Sequence, residues 1–113
     1  MKRFFCLILG ICLFLTQGVN AMDKENTLYM DLEYGRVVIE LDPTVAPRHV
    51  ARIKELTRQG FYNGVRFHRV IPGFMAQTGD PTGTGTGGSG QKLKAEFNKT
   101  PHVRGTVSMA RAM

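Results

Sequence analysis

Cysteine is nearly absent from this chain, and its two copies, Cys6 and Cys12, both sit close to the N-terminus. The rest of the sequence therefore offers neither a disulfide framework nor a thiolate metal site and must fold by its core alone. Histidine is also scarce. His49, His68 and His102 are scattered, with no cysteine or clustered carboxylates around them, so no metal or other cofactor is called for. His68 reads as a hydrogen-bonded structural histidine, and His49 and His102 as exposed. No carboxylates are paired for acid–base work, and no nucleophile has an evident base. Nine acidic residues face fifteen basic ones, a formal charge of +6. The excess is spread along the chain, which describes a solvated surface rather than a nucleic-acid footprint. There is no internal repeat, and no apolar run reaches the roughly twenty residues that a membrane-spanning helix needs.

The beginning of the chain carries a recognisable pattern. Lys2 and Arg3 precede an apolar run from Phe4 to Leu15, then a short polar stretch ends in Val19-Asn20-Ala21. That order of charge, apolar middle and small residue predicts an export signal over residues 1–21, cleaved after Ala21. The alternatives are a short buried or interfacial helix and a lipid anchor on Cys12, where Ile11 stands in place of the small residue such an anchor prefers. Cleavage places residues 22–113 in the periplasm or outside the cell, without stable membrane insertion. It removes both cysteines and leaves one domain with a modest core.

Residues Thr27 to Tyr34 alternate apolar and polar, then Val37, Ile39 and Leu41 resume the alternation after Tyr34-Gly35, which predicts an antiparallel hairpin. Asp42-Pro43 ends it. Ala46, Val50, Ile53 and Leu56 fall at helical spacing; Thr44 is the expected N-cap, Pro47 fits the first turn and Gly60 is the expected stop. Asn63-Gly64 leads into a β-rich run from Val65 to Ile71, Pro72-Gly73 breaks it, and Phe74 to Thr78 reads as another strand. Pro81 to Gly90, PTGTGTGGSG, carries five glycines and no bulky side chain, so it reads as a loop with little intrinsic rigidity. Thr106 to Met109 reads as a last strand. The loop satisfies G-x-G-x-x-G at Gly83, Gly85 and Gly88 and again at Gly85, Gly87 and Gly90. No helix or acidic partner follows in a βαβ unit, so this is no dinucleotide fingerprint. Asn98-Lys99-Thr100 matches a glycosylation sequon but is followed by Pro101 and carries little weight.

The densest chemistry lies in FHRVIPGFMAQTGD, Phe67 to Asp80. Its Phe67, His68, Arg69, Pro72, Gly73, Phe74, Met75 and Gln77 resemble the core motif of the cyclophilin family of peptidyl-prolyl isomerases. The resemblance extends from Thr27 through Gly105-Thr106-Val107-Ser108-Met109-Ala110. It implies a mostly β fold, an antiparallel cyclophilin-like β-barrel with a capping helix. It also implies that Arg69 is catalytic, that Phe74 and Met75 form part of a proline pocket, and that Gln77 orients substrate. Gly85 would be a backbone contact, and Ala110, Arg111 and Ala112 would line the neighbouring groove. Arg111 stands where many members have Asn, and an arginine there resembles exported bacterial members. The expected partners are proline-containing polypeptides and unfolded exported proteins, met by a monomer.

One departure qualifies the resemblance. Members of the family continue into strands that supply a further pocket phenylalanine, a Trp or equivalent, a Leu and a His, and that close the barrel. The chain looks like the N-terminal two-thirds of a member, with an incomplete barrel and weak or no activity taken literally. A non-catalytic proline-peptide binder or chaperone module, and a non-functional fragment, are the competing readings.

Overall fold

The computed structural model describes residues 23–111; the expected export signal lies outside them. The alternating N-terminal segment forms a hairpin, β1 (Thr27–Leu32) and β2 (Gly35–Glu40). The strands pair antiparallel from Thr27 opposite Glu40 to Leu32 opposite Gly35, around a turn at Glu33 and Tyr34. The ladder continues outward, since the Leu41 amide donates to the Asn26 carbonyl at 2.7 Å. On the hairpin surface Asp31 accepts from Arg36 at 2.6 Å, and the Arg36 guanidinium lies 4.3 Å from the Tyr29 ring centroid.

Helix α1 (Pro47–Arg58) buries Val50 and Leu56, two of the positions that its spacing assigned to the core. Its N-terminus differs from expectation. The N-cap is Ala46, which has no side-chain acceptor, and Thr44 is instead drawn back to Asp42 through its amide and hydroxyl. The orphan amides of the first turn are satisfied from far along the chain. Glu96 accepts from Arg48 N–H at 3.2 Å and from His49 N–H at 2.8 Å. A carboxylate there also meets the positive end of the helix dipole. Its Oε1 lies 2.5 Å from His49 Nδ1, so His49 is half-buried and paired rather than exposed as expected. These backbone and side-chain hydrogen bonds from His49 and Arg48 outweigh the burial that opposes them and hold the Glu96 carboxyl below its ordinary range. The C-terminus ends as expected at Gly60, whose φ of 73° only glycine adopts without strain. Its amide reaches Thr57 O at 3.0 Å, and Phe61 N reaches Leu56 O at 3.0 Å, the paired bonds of a Schellman motif.

A second hairpin follows, formed by β3 (Arg69–Ile71) and β4 (Met75–Gln77). Both strands are shorter than the alternation suggests, because residues 65–68 and 78 have no ladder partner and Phe74 belongs to the turn. The expected strand at Thr106–Met109 does not form. A ladder needs a neighbour, and none of the described residues pairs with this segment. The barrel is likewise not closed: the described residues hold two separate two-stranded sheets and one α-helix. The buried apolar core comprises Val50 and Leu56, whereas Tyr34, Phe74, Phe97 and Val107 are exposed. No helix among the described residues is long and apolar enough to cross a membrane.

Candidate functional site

The β3–β4 hairpin arranges the chemistry by register. Arg69 pairs directly with Gln77, and Ile71 with Met75, while Val70 pairs with Ala76. Side chains alternate along a strand, so Arg69, Gln77, Ile71 and Met75 share one face and Val70 and Ala76 the other. The turn between them follows from Pro72-Gly73. The Phe74 amide donates to the Ile71 carbonyl at 3.0 Å, with Pro at the second position and Gly73, φ 75°, at the third, as a type II turn requires. Phe74 leaves the turn with 74% of its surface exposed, and Met75 and Gln77 are half-buried. At the open end of the hairpin the Thr78 hydroxyl donates to the Arg66 carbonyl at 2.8 Å and keeps the strands together beyond the ladder.

Arg69 is exposed and forms no ion pair with any described carboxylate. Its guanidinium is therefore available to a ligand. Several fixed N–H donors that never lose their charge suit it to an acceptor whose basicity develops during a reaction.

The glycine loop departs from its expected looseness. Asp80 is only 5% exposed and lies inside a ring of donors supplied by the residues after it. Oδ1 accepts from Thr82 N–H at 2.8 Å and from the Thr82 hydroxyl at 2.7 Å. Oδ2 accepts from the amides of Thr84 at 3.2 Å, Gly85 at 2.6 Å and Gly87 at 3.1 Å. The Thr82 hydroxyl, followed by these amides, holds the Asp80 carboxyl well below the usual carboxylate range despite its burial. The hydroxyls of Thr82, Thr84 and Thr86 are linked in series at 2.8 and 2.7 Å. A glycine-rich loop of this kind could in principle cradle a phosphate, but here four of its amides already serve Asp80. By sequence alone Asp80 stands only as the end of the motif. The signal for its role was an aspartate followed by alternating Thr and Gly, residues that can turn their amides back on a carboxylate.

The loop also touches the hairpin. A Cβ placed on Gly85 would lie 3.3 Å from both Cδ2 and Nε2 of His68. The imidazole is half-buried and its Nδ1 has no hydrogen-bond partner among the described residues, contrary to the satisfied histidine expected.

The structure thus brings together Arg69, Gln77 and Met75 on one face, sets Phe74 at the adjoining turn, and reaches Gly85 through His68. Ala110 and Arg111 stand on irregular exposed backbone; the Arg111 guanidinium lies 5.0 Å from the Phe97 ring centroid, and no hydrogen bond joins either residue to the hairpin. Ala112 lies outside the described residues. No group of three or more His, Cys, Asp or Glu side chains that could hold a metal ion occurs among the described residues. A concavity of about 610 Å3 runs along α1 between Glu25, Pro43, Val50 and Arg58, and no residue of the β3–β4 hairpin lines it.

Comparison with known proteins gives these positions a family. The chain is 55% identical over 108 residues to a protein of Brucella suis called a probable peptidyl-prolyl cis-trans isomerase, with 85% of this chain and 55% of that protein covered. It is 49% identical over 89 residues to peptidyl-prolyl cis-trans isomerase B of Bacillus subtilis, covering 76% of this chain and 62% of the relative. A peptidyl-prolyl cis-trans isomerase of Synechococcus elongatus is 49% identical over 83 residues, covering 74% of this chain and 57% of that relative. The chain therefore spans little more than half the length of these curated relatives. Residues 27–113 match the family described as cyclophilin type peptidyl-prolyl cis-trans isomerase/CLD, and with most of its length inside that match, the chain belongs to this family.

Proposed function

We propose that this chain binds proline-containing polypeptides at the β3–β4 hairpin and accelerates rotation about the X-Pro bond. The observation that carries the reading is the register of Arg69 opposite Gln77, with Met75 on the same face. Rotation about an amide meets a barrier of about 18–20 kcal/mol because the nitrogen lone pair is shared with the carbonyl. As the bond twists, the prolyl nitrogen becomes pyramidal and its lone pair, no longer shared with the carbonyl, localises on it. An N–H of Arg69 donates to it, Gln77 fixes the guanidinium and the peptide backbone, and Met75 and Phe74 hold the ring away from water. No covalent bond forms and no proton is transferred.

A charge-assisted hydrogen bond of this kind stabilises by about 1.5–3 kcal/mol, or one to two powers of ten in rate. Faster turnover needs a closed apolar wall, and Phe74 is 74% exposed. Turnover by this chain is therefore expected to be slow, and the closed barrel belongs to the proposal for the whole protein. The arrangement of Lys2, the apolar run and Ala21 supports a role on exported polypeptides in the periplasm or outside the cell.

The exposed Phe74 and Val70 favour a second reading, capture of proline peptides without turnover. Cis–trans exchange of an Ala-Pro peptide, measured by NMR with the full chain and with Arg69→Ala, separates them. Catalysis by Arg69 lowers the exchange rate of the variant about 10- to 100-fold with little change in affinity. Equal rates for the two proteins would leave only binding.

A further inference from the structure

Asp80 is the one buried charged residue among the described residues, and the mechanism above does not use it. Its position in the chain ties it to β4, three residues beyond Gln77. Its bonds tie it forward, to donors at Thr82, Thr84, Gly85 and Gly87. Gly85 is the point where this ring meets β3: its amide is held by Asp80 Oδ2 at 2.6 Å, and its Cα faces the His68 ring so closely that an added Cβ would lie 3.3 Å away. His68 directly precedes Arg69. A continuous path of contacts therefore runs from β4 through the Asp80 carboxylate and the Gly85 amide to His68 and the start of β3. Gly87 closes the ring on its far side, where a Cβ would collide with Asp80 Oδ1 and with Thr82.

We infer that Asp80 is a positioning residue for the peptide site: its carboxylate holds Gly85 against His68, so the glycine loop stands fixed at the entry to β3, beside the residue that precedes Arg69. A bound peptide backbone then meets a formed surface and does not have to order Gly83, Gly85 and Gly87 on arrival, which is an entropic cost transferred from binding to folding. The inference rests on the hairpin being the peptide site; it does not require that the bound peptide be isomerised.

The test pairs two readouts on the full chain. One is the nuclear Overhauser contact between the Gly85 α-protons and the His68 ring; the other is the Kd for a short Ala-Pro peptide by NMR titration. The comparison uses wild type, Asp80→Asn and Thr82→Val, the last removing one hydroxyl donor and leaving every amide in place. Asp80→Asn is expected to lose the contact and weaken the peptide about tenfold, Thr82→Val to weaken both to a smaller degree. Exchange at saturating peptide stays at the wild-type rate in both, because Arg69 and Gln77 are intact. If Asp80→Asn does not fold, Thr82→Val decides alone. Loss of the contact with unchanged Kd overturns the inference, as does a contact that persists in both variants, or a wild type that binds no X-Pro peptide. A wild type that binds with the expected variant pattern but does not catalyse exchange removes the isomerase reading and leaves this one standing.

Discussion

Residues 80–87 and residues 103–109 both lack regular secondary structure, yet they are held in opposite ways. The first segment turns four amides and a hydroxyl onto one buried carboxylate. The second has one turn bond, Thr106 N–H to the Val103 carbonyl at 3.0 Å, and a long one from the Thr106 hydroxyl to the Pro101 carbonyl at 3.4 Å, and it leaves Val103, Val107 and Met109 more than half exposed. Apolar, β-prone residues therefore do not order backbone by themselves. A local acceptor does so even for glycine, because each bond closes a loop of only a few residues and the entropy lost in closing it is small.

The comparison can be broken most severely at its centre. Asp80→Ala leaves the loop amides without an acceptor, and the melting temperature is expected to fall on the order of 10 °C, read by circular dichroism. The same change at exposed Met109 is expected to shift stability by less than about 0.5 kcal/mol. Next in size is Gly87→Ala, whose Cβ collides with Asp80 and Thr82, against Gly88→Ala, which meets nothing within 4 Å. The first should lower the melting temperature by several degrees; the second should be neutral or raise stability by up to about 1 kcal/mol through a less flexible unfolded chain. A matched response of the two alanines would mean that the ring around Asp80 is not formed.

Acid sharpens the contrast with Glu96, a second carboxylate that accepts backbone amides but from 47 and 48 residues away. Both carboxyls are held low in the folded chain, Asp80 much further than Glu96. A depressed carboxyl contributes stability above its unfolded value and loses it as pH falls through the folded one. On acidification the α1 amides of Arg48 and His49 should lose exchange protection before those of Thr84 and Gly85. Glu96→Gln should remove most of that acid step at α1 and leave the loop unchanged. It should also lower the melting temperature at neutral pH by a few degrees, as loss of a helix cap does. Loop and helix releasing together would indicate one cooperative unit instead of two.

What the sequence made legible follows the range of the interaction involved. The first hairpin, α1 and its Gly60 stop are local patterns, and all three form as their periods and turn residues imply. Arg69, Met75 and Gln77 share a face because a Pro-Gly turn sets the register, which is local as well. The N-terminus of α1 is not capped by Thr44, because the acceptor that serves its first turn, Glu96, comes from distant sequence. The strand expected at Thr106–Met109 needs a neighbour that a single segment cannot specify. Asp80 lies within reach of local reasoning, since an aspartate followed by alternating Thr and Gly can gather the loop's own amides.

Amide hydrogen exchange on the native chain tests this account most directly. Slow exchange at Thr82, Thr84, Gly85 and Gly87, beside fast exchange at Val107, Ser108 and Met109, is the predicted result. Fast exchange throughout residues 82–87, or protection confined to 107–109, would contradict it.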